Sequence, residues 1–140
     1  MGIRQLSVFV ENKKGSLHEI TDLLANEGID LRSMCVADTS DYGVLRIIVN
    51  DPERALAILN AAGHSANIRT VNAFAVSDRP GGLSIALKAL EENDISIEYL
   101  YALITTCADK AYTVMRTDDT EKAEEILKAN GIELLDEDHI

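Results

Sequence analysis

The chain of 140 residues has no tryptophan, two prolines, two cysteines and an aromatic share of 4%. Any core is therefore aliphatic, and the 46% apolar share is enough to build one. Cys35 and Cys107 stand far apart with no partner at metal-ligand spacing, a usage that fits a reducing cytoplasm and calls for no metal or other cofactor. The start lacks the basic-then-apolar pattern of a signal peptide, no apolar run approaches membrane-spanning length, and Leu6 stands where a myristoylation signal has Ser or Thr.

Positive charge is also scarce. Thirteen Lys and Arg face 24 Asp and Glu, a formal net charge of -11, which works against a nucleic acid or an anionic membrane surface as partner. The imbalance belongs to the second half: residues 1–70 carry 7 basic and 9 acidic side chains, residues 71–140 carry 6 and 15. It gathers at 118–125 and 133–138, where a solvated helix face and a frayed terminus are expected. His18, His64 and His139 are scattered and join no Ser-His-Asp or Cys-His grouping, so no catalytic residue and no metal site is expected, and the chain does not read as an enzyme.

What is present is periodicity. Leu6, Val8 and Val10 alternate with Gln5, Ser7 and Phe9 as in a strand, which the cluster Asn12-Lys13-Lys14-Gly15 ends. Ser16 stands three residues before Glu19, the spacing of a capping box, and Leu17, Ile20, Leu23 and Leu24 line one stripe of the helix that follows, with Gly28 as its stop. Residues 29–38 and 44–49 read as two strands of a hairpin around Thr39-Ser40-Asp41. Asp51-Pro52 starts a second helix whose inner face is Ala55, Leu56, Ile58, Leu59 and Ala62, and 68–71 gives a fourth strand. The order β-α-β-β-α-β is the ferredoxin-like arrangement, an antiparallel sheet with both helices on one face.

The second half repeats the first. Gly15, Leu17, Leu24, Ile29 and Leu31 recur as Gly81, Leu83, Leu90, Ile95 and Ile97, 66 residues on, while Ala55, Leu59 and Gly63 recur as Ala123, Leu127 and Gly131, 68 on. The two extra residues belong in the hairpin turn at 105–110, since an insertion inside a strand would turn its side chains to the wrong face; Cys107 is then in a loop tip. No Pro/Gly/Ser linker separates the halves, so the expectation is an α+β chain of two tandem ferredoxin-like units, 1–70 and 71–140, held side by side.

The repeated loop suits an amino acid. A helix N-terminus after Gly15 or Gly81 offers unpaired N–H groups and a positive dipole end to a carboxylate, glycine at 15, 81 and 82 lets backbone approach a ligand, and Asn12 or Asp78 can accept from an ammonium. The bland reading of the same residues is turn and cap chemistry, and for Ser16 the cap is the first role. His18, off the apolar stripe, reads as a surface residue.

The strand, the loop from Asn12 to Leu17, the helix ending Glu27-Gly28-Ile29-Asp30-Leu31 and the later Asp78-Arg79-Pro80-Gly81-Gly82-Leu83 resemble the ACT domain, in both halves. The resemblance implies a small regulatory module that binds an amino acid or similar metabolite between paired ACT domains, here in a stand-alone tandem form with no enzyme attached. It also implies effector contacts from an Asn in the loop and an Asn after the helix, which correspond to Asn12 or Asp78 and to Asp30 or Ser96. Unit one has Lys13-Lys14 where Arg-Pro is usual and unit two has Asp78 for Asn, so the binding unit stays open. The expected ligand contacts are these four with Gly15, Ser16, Leu17, Gly81, Gly82 and Leu83.

Tyr42, Tyr99, Tyr101 and Tyr112 raise the alternative of an RNA-binding sheet, but that needs a basic face with an aromatic third strand, and residues 44–49 offer aliphatics and one Arg. Tyr99 and Tyr101 share one strand face and fit packing at a sheet or subunit interface. Strands 44–49 and 95–104 are apolar at nearly every position, which predicts burial of both faces and a homodimer. The second functional reading is an adaptor that docks on a metabolic enzyme through its acidic half and binds no small ligand.

Overall fold

The computed structural model describes residues 2–38, 41–104, 107 and 109–140. Among these residues seven strands and four helices follow in the order β1 (Ile3–Glu11), α1 (Ser16–Asn26), β2 (Leu31–Asp38), β3 (Tyr42–Val49), α2 (Pro52–Ala61), β4 (Ala66–Ser77), α3 (Gly82–Glu91), β5 (Ile97–Ala102), β6 (Lys110–Thr117), α4 (Thr120–Ala129) and β7 (Glu133–Leu135), closed by one 3-10 turn at Glu137–His139. They form two compact units, Arg4–Arg69 and Thr70–Ile140, with Ile3 counted to the second. Strand β4 begins in one unit and ends in the other, so no linker separates them.

In the first unit the strands lie in the order β2-β3-β1, with the start of β4 beside β1. Antiparallel pairing sets Leu6 against Ile47 and Val8 against Leu45. The period of two therefore turns Leu6, Val8, Val10, Leu45, Ile47 and Val49 to one face, where Ile20 and Leu24 of α1 and Ala55 and Leu59 of α2 close over them. Helix α2 begins as its residues dictate: the Asp51 carboxylate accepts the Arg54 N–H at 3.2 Å and Pro52 occupies the first helical position. Helix α1 ends at Gly28, where the Gly28 and Ile29 amides donate to the Ala25 and Leu24 carbonyls.

The second unit has the order β5-β6-β4-β7 and the same core plan, with Phe74, Val76 and Met115 from the sheet, Ala86 and Leu90 from α3, and Ala123 and Leu127 from α4. Its registers fix where the repeat slips. Phe74 pairs with Thr113 and Leu100 with Met115, as Val8 pairs with Leu45 and Met34 with Ile47. The offset is 66 on β4 and β5 but 68 on β6, so the two additional residues lie between β5 and β6, as the hydrophobic pattern requires. Cys107 is exposed there and forms a single bridge with Lys110, while Thr105, Thr106 and Ala108, like Thr39 and Ser40 of the other hairpin turn, lie outside the described residues.

Three expectations are corrected. Ser16 is not a cap: Gly15 is the last non-helical residue of the loop, so Ser16 becomes the first helical residue and no side chain caps α1. Ala62 is exposed because α2 stops at Ala61. The acidic end is ordered: β7 pairs with β4, and the 3-10 turn is closed by Asp136 and His139, whose 2.7 Å contact holds the Asp136 carboxyl below its ordinary pKa. Strand β5 is the edge of its unit, with Glu98, Leu100 and Ala102 exposed, and β3 carries half-buried Val44 and Arg46 beside buried Ile48 on its second face, so these faces are what the expected homodimer would cover.

Phe74 is fully buried in the second core. Phe74→Ala is expected to lower stability by about 3–5 kcal/mol, read as a fall in the urea midpoint at unchanged m-value.

Candidate functional site

The junction between each unit's first strand and first helix is built twice on one hydrogen-bond plan. In unit one the Asn12 amide donates to the Asp41 carbonyl, Lys13 to Glu11 and Ser16 to Lys13; in unit two Asp78 donates to Asp109, Arg79 to Ser77 and Gly82 to Arg79. Both loops end in a glycine of left-handed conformation, Gly15 at φ +89° and Gly81 at φ +85°, a geometry that other residues adopt only under strain. Neither glycine has a side chain to cap the helix. The first-turn amides of Leu17 and His18, and of Leu83 and Ser84, consequently have no hydrogen-bond acceptor among the described residues.

Asn12, Gly15 and Leu17 are exposed around the first junction, and Asp78 and Gly81 around the second, where Leu83 is half-buried. Ser16 is different. It is 9% exposed, and its Oγ is buried without a hydrogen-bond partner. An orphaned hydroxyl of this kind costs on the order of 1–3 kcal/mol. It lies on the wall of a cavity of about 460 Å³, within the size range of small-molecule sites, whose other walls include Lys13 and Glu19, the rings of Phe9 and Tyr42, and His64. The Phe9 and Tyr42 rings are a tilted pair with centroids 6.1 Å apart, and both are about half exposed. His64 follows the stop of α2 at Gly63; its Nε2 is buried, has no hydrogen-bond partner and stands 3.8 Å from the Glu19 carboxylate.

The counterpart positions of unit two are filled otherwise. With the offsets of 66 and 68, Ser16 corresponds to Gly82, Glu19 to Ile85, His64 to Ile132, and Tyr42 and Ser65 to Lys110 and Glu133. Lys110 and Glu133 form an ion pair, which raises the Lys110 pKa above its ordinary value. At Gly82 a Cβ would come within 2.0 Å of the Ser77 carbonyl oxygen, so the strand end and the helix start are closer here than a serine tolerates.

Asp30 and Ser96 are not brought to these junctions. Each lies just before the second strand of its unit, at the other end of the sheet. The Asp30 N–H donates to Asn50 Oδ1 at 2.9 Å and the Ser96 N–H to Asp118 Oδ1 at 3.1 Å. Asn12 is tied to Asp41 and Asp30 to Asn50, the two ends of β3, so about eight strand residues, roughly 26 Å, separate them. No single unit can offer Asn12 and Asp30, or Asp78 and Ser96, to one small ligand.

Among the described residues no group of three His, Cys, Asp or Glu could hold a metal ion, and no helix is long and apolar enough to cross a membrane. The family model for the ACT domain pair matches residues 1–140. The chain belongs to that family. No curated protein matches it. It is similar to a protein from Bacteroides thetaiotaomicron of known crystal structure, with 37% identity and a TM-score of 0.90 over 96% of this chain and 92% of that one. Its fold is similar to that of the regulatory subunit of aspartate kinase from Thermus thermophilus in its ligand-free form, at 14% identity and a TM-score of 0.68 over 91% of each chain. The corresponding subunit from Thermus flavus gives 17% identity and a TM-score of 0.65, over 91% of this chain and 90% of that one.

The cavity of the first ACT unit contains residues that sequence reasoning passed over, namely His64, Glu19, Phe9 and Tyr42. The signal for His64 was in the repeat, since the residue after the matching glycine is Ile132 in the second ACT unit. Glycine at 82 is accounted for by the close approach of Ser77 without any ligand. Gly82→Ser is therefore expected to destabilise the second ACT unit by about 1–3 kcal/mol in urea unfolding, whereas Ser16→Gly, which removes an orphaned hydroxyl, costs less.

Proposed function

We propose that this ACT domain pair is a non-enzymatic regulatory protein that binds an amino acid or a related small metabolite, in the cytoplasm. The observation that carries the reading is the buried, unpartnered Ser16 hydroxyl on a cavity wall at the start of an uncapped helix. Free first-turn amides and a positive helix end favour a carboxylate, and acidic side chains such as Glu19 favour an ammonium. One small molecule with both groups meets both demands. Asn12, Gly15 and Leu17 border the same loop, and Asp78, Gly81, Gly82 and Leu83 form its counterpart; Asp30 and Ser96 reach a ligand only if a second protein surface brings one to their end of the sheet.

Self-association is supported by a separate observation. Strands β2 and β5 are the edges of their units, and Met34, Val36 and Leu100 on them are each more than a third exposed. An unpaired edge with exposed apolar side chains is a template for strand pairing, and a homodimer formed by sheet extension uses it. A metabolic enzyme is the other partner class for such a surface, and that is the adaptor reading in which no small ligand is needed.

A thermal-shift screen of the full chain against the twenty amino acids separates the two. At about 100 times its dissociation constant a ligand stabilises by roughly 2.7 kcal/mol, a rise of several degrees in Tm. No rise with any of them would leave the adaptor. Light scattering at micromolar concentration is expected to give twice the chain mass of 15.3 kDa, and a monodisperse monomer would contradict the dimer.

A further inference from the structure

The two units share one backbone plan at the strand-to-helix junction but differ in the side chains that surround it. In unit one Ser16 and Glu19 lie one turn apart on α1, so they stand beside each other on the helix surface. His64 comes from the opposite wall, after α2, with Nε2 3.8 Å from Glu19 and no hydrogen bond of its own. Two polar atoms, Ser16 Oγ and His64 Nε2, are thus buried without a hydrogen bond at the same cavity. The Phe9 and Tyr42 rings give that cavity an apolar wall. Unit two has Gly82 and Ile132 in place of the two unused groups, Ile85 in place of the carboxylate, and the Lys110–Glu133 ion pair where unit one has Tyr42 and Ser65.

We propose that unit one alone holds the ligand site, and that it takes an α-amino acid with an apolar or aromatic side chain. The inference rests on the amino-acid reading above and adds the unit and the ligand class. The ligand carboxylate accepts from Ser16 Oγ and His64 Nε2 near the positive end of α1, the ammonium donates to Glu19, and the side chain covers the Phe9 and Tyr42 rings. Each buried group that lacks a partner in the free protein gains one. Lys13 and Glu11 on the same lining are paired with each other at 3.2 Å, so a charged ligand side chain would have to break that pair to gain a counter-group, which disfavours aspartate and lysine. Unit two has Gly82, Ile132 and Ile85 where unit one has the hydroxyl, imidazole and carboxylate, and its Lys110–Glu133 ion pair stands where Tyr42 and Ser65 line the cavity of unit one.

Calorimetric titration of the full chain with L-phenylalanine and L-leucine, and with L-aspartate and L-lysine for comparison, tests this. One molecule per chain is expected, with the apolar amino acids bound more tightly than the charged ones. Ser16→Gly and His64→Ile, which install the residues of unit two, are each expected to weaken binding about tenfold or more, and Glu133→Gln to change it by less than about twofold. Circular dichroism melts check that the variants are folded; if Ser16→Gly does not fold, His64→Ile decides. Two molecules per chain, a loss on Glu133→Gln with none on His64→Ile, or preference for aspartate or lysine would overturn the proposal and leave amino-acid binding standing. If none of the four probes binds while other amino acids raise the Tm, the ligand class is wrong; if nothing binds or shifts the Tm, both readings fall.

Discussion

A single left-handed glycine at the end of the loop after each first strand constrains everything around the site. Because Gly15 and Gly81 turn the chain into the helix with φ near +90°, each helix begins at the very next residue, in unit one a residue earlier than a Ser16 cap would place it, and no side chain is in position to satisfy the first amides. The contrast lies within the same units. Helices α2 and α4 begin at Asp51 and Asp119, whose carboxylates accept from Arg54 and Lys122, and those ends are finished. Two of the four helices are closed by their own sequence, and the two that follow a first strand are left with free donors.

From that shared start the units diverge through side chains alone. Position 16 keeps a hydroxyl because the loop leaves room for it, whereas at position 82 the Ser77 carbonyl fills the room and only glycine remains. Behind the helix, His64 and Ile132 follow equivalent glycines, so the same backbone delivers an imidazole to one unit and an aliphatic group to the other. A duplicated fold can in this way keep its cores in parallel, as the matching registers of β1 with β3 and β4 with β6 record, while the side chains at the two junctions differ. Stability comes from aliphatic burial in both units, and the proposed ligand binding from a few polar groups in one.

The fold was legible in the sequence because burial imposes period. Leu6, Val8 and Val10 had to share a face, the Asp51-Pro52 start has a local mechanism, and the 66 and 68 offsets located the insertion between β5 and β6. The site was less legible. The Ser16–Glu19 spacing matched a capping box, yet the backbone turn at Gly15 moved Ser16 inside the helix, and local pattern cannot report that. The resemblance to the ACT domain named Asp30 and Ser96 as ligand contacts with Asn12 and Asp78, but within each unit the antiparallel sheet puts them at its opposite end, where Asn50 and Asp118 hold their backbones. His64 carried no motif, and its position beside Glu19 depends on how α2 packs against α1. That β5 is an edge strand could not be read from its residues, because composition reports apolarity and says nothing of strand order.

The central claim is that one junction of two is the binding site. Amide NMR of the full chain titrated with L-phenylalanine reads both junctions at once. The Ser16, Leu17 and His18 amides are expected to shift in a saturable way while those of Gly82, Leu83 and Ser84 stay in place. Equal shifts at both junctions, or shifts confined to Gly82, Leu83 and Ser84, would contradict it.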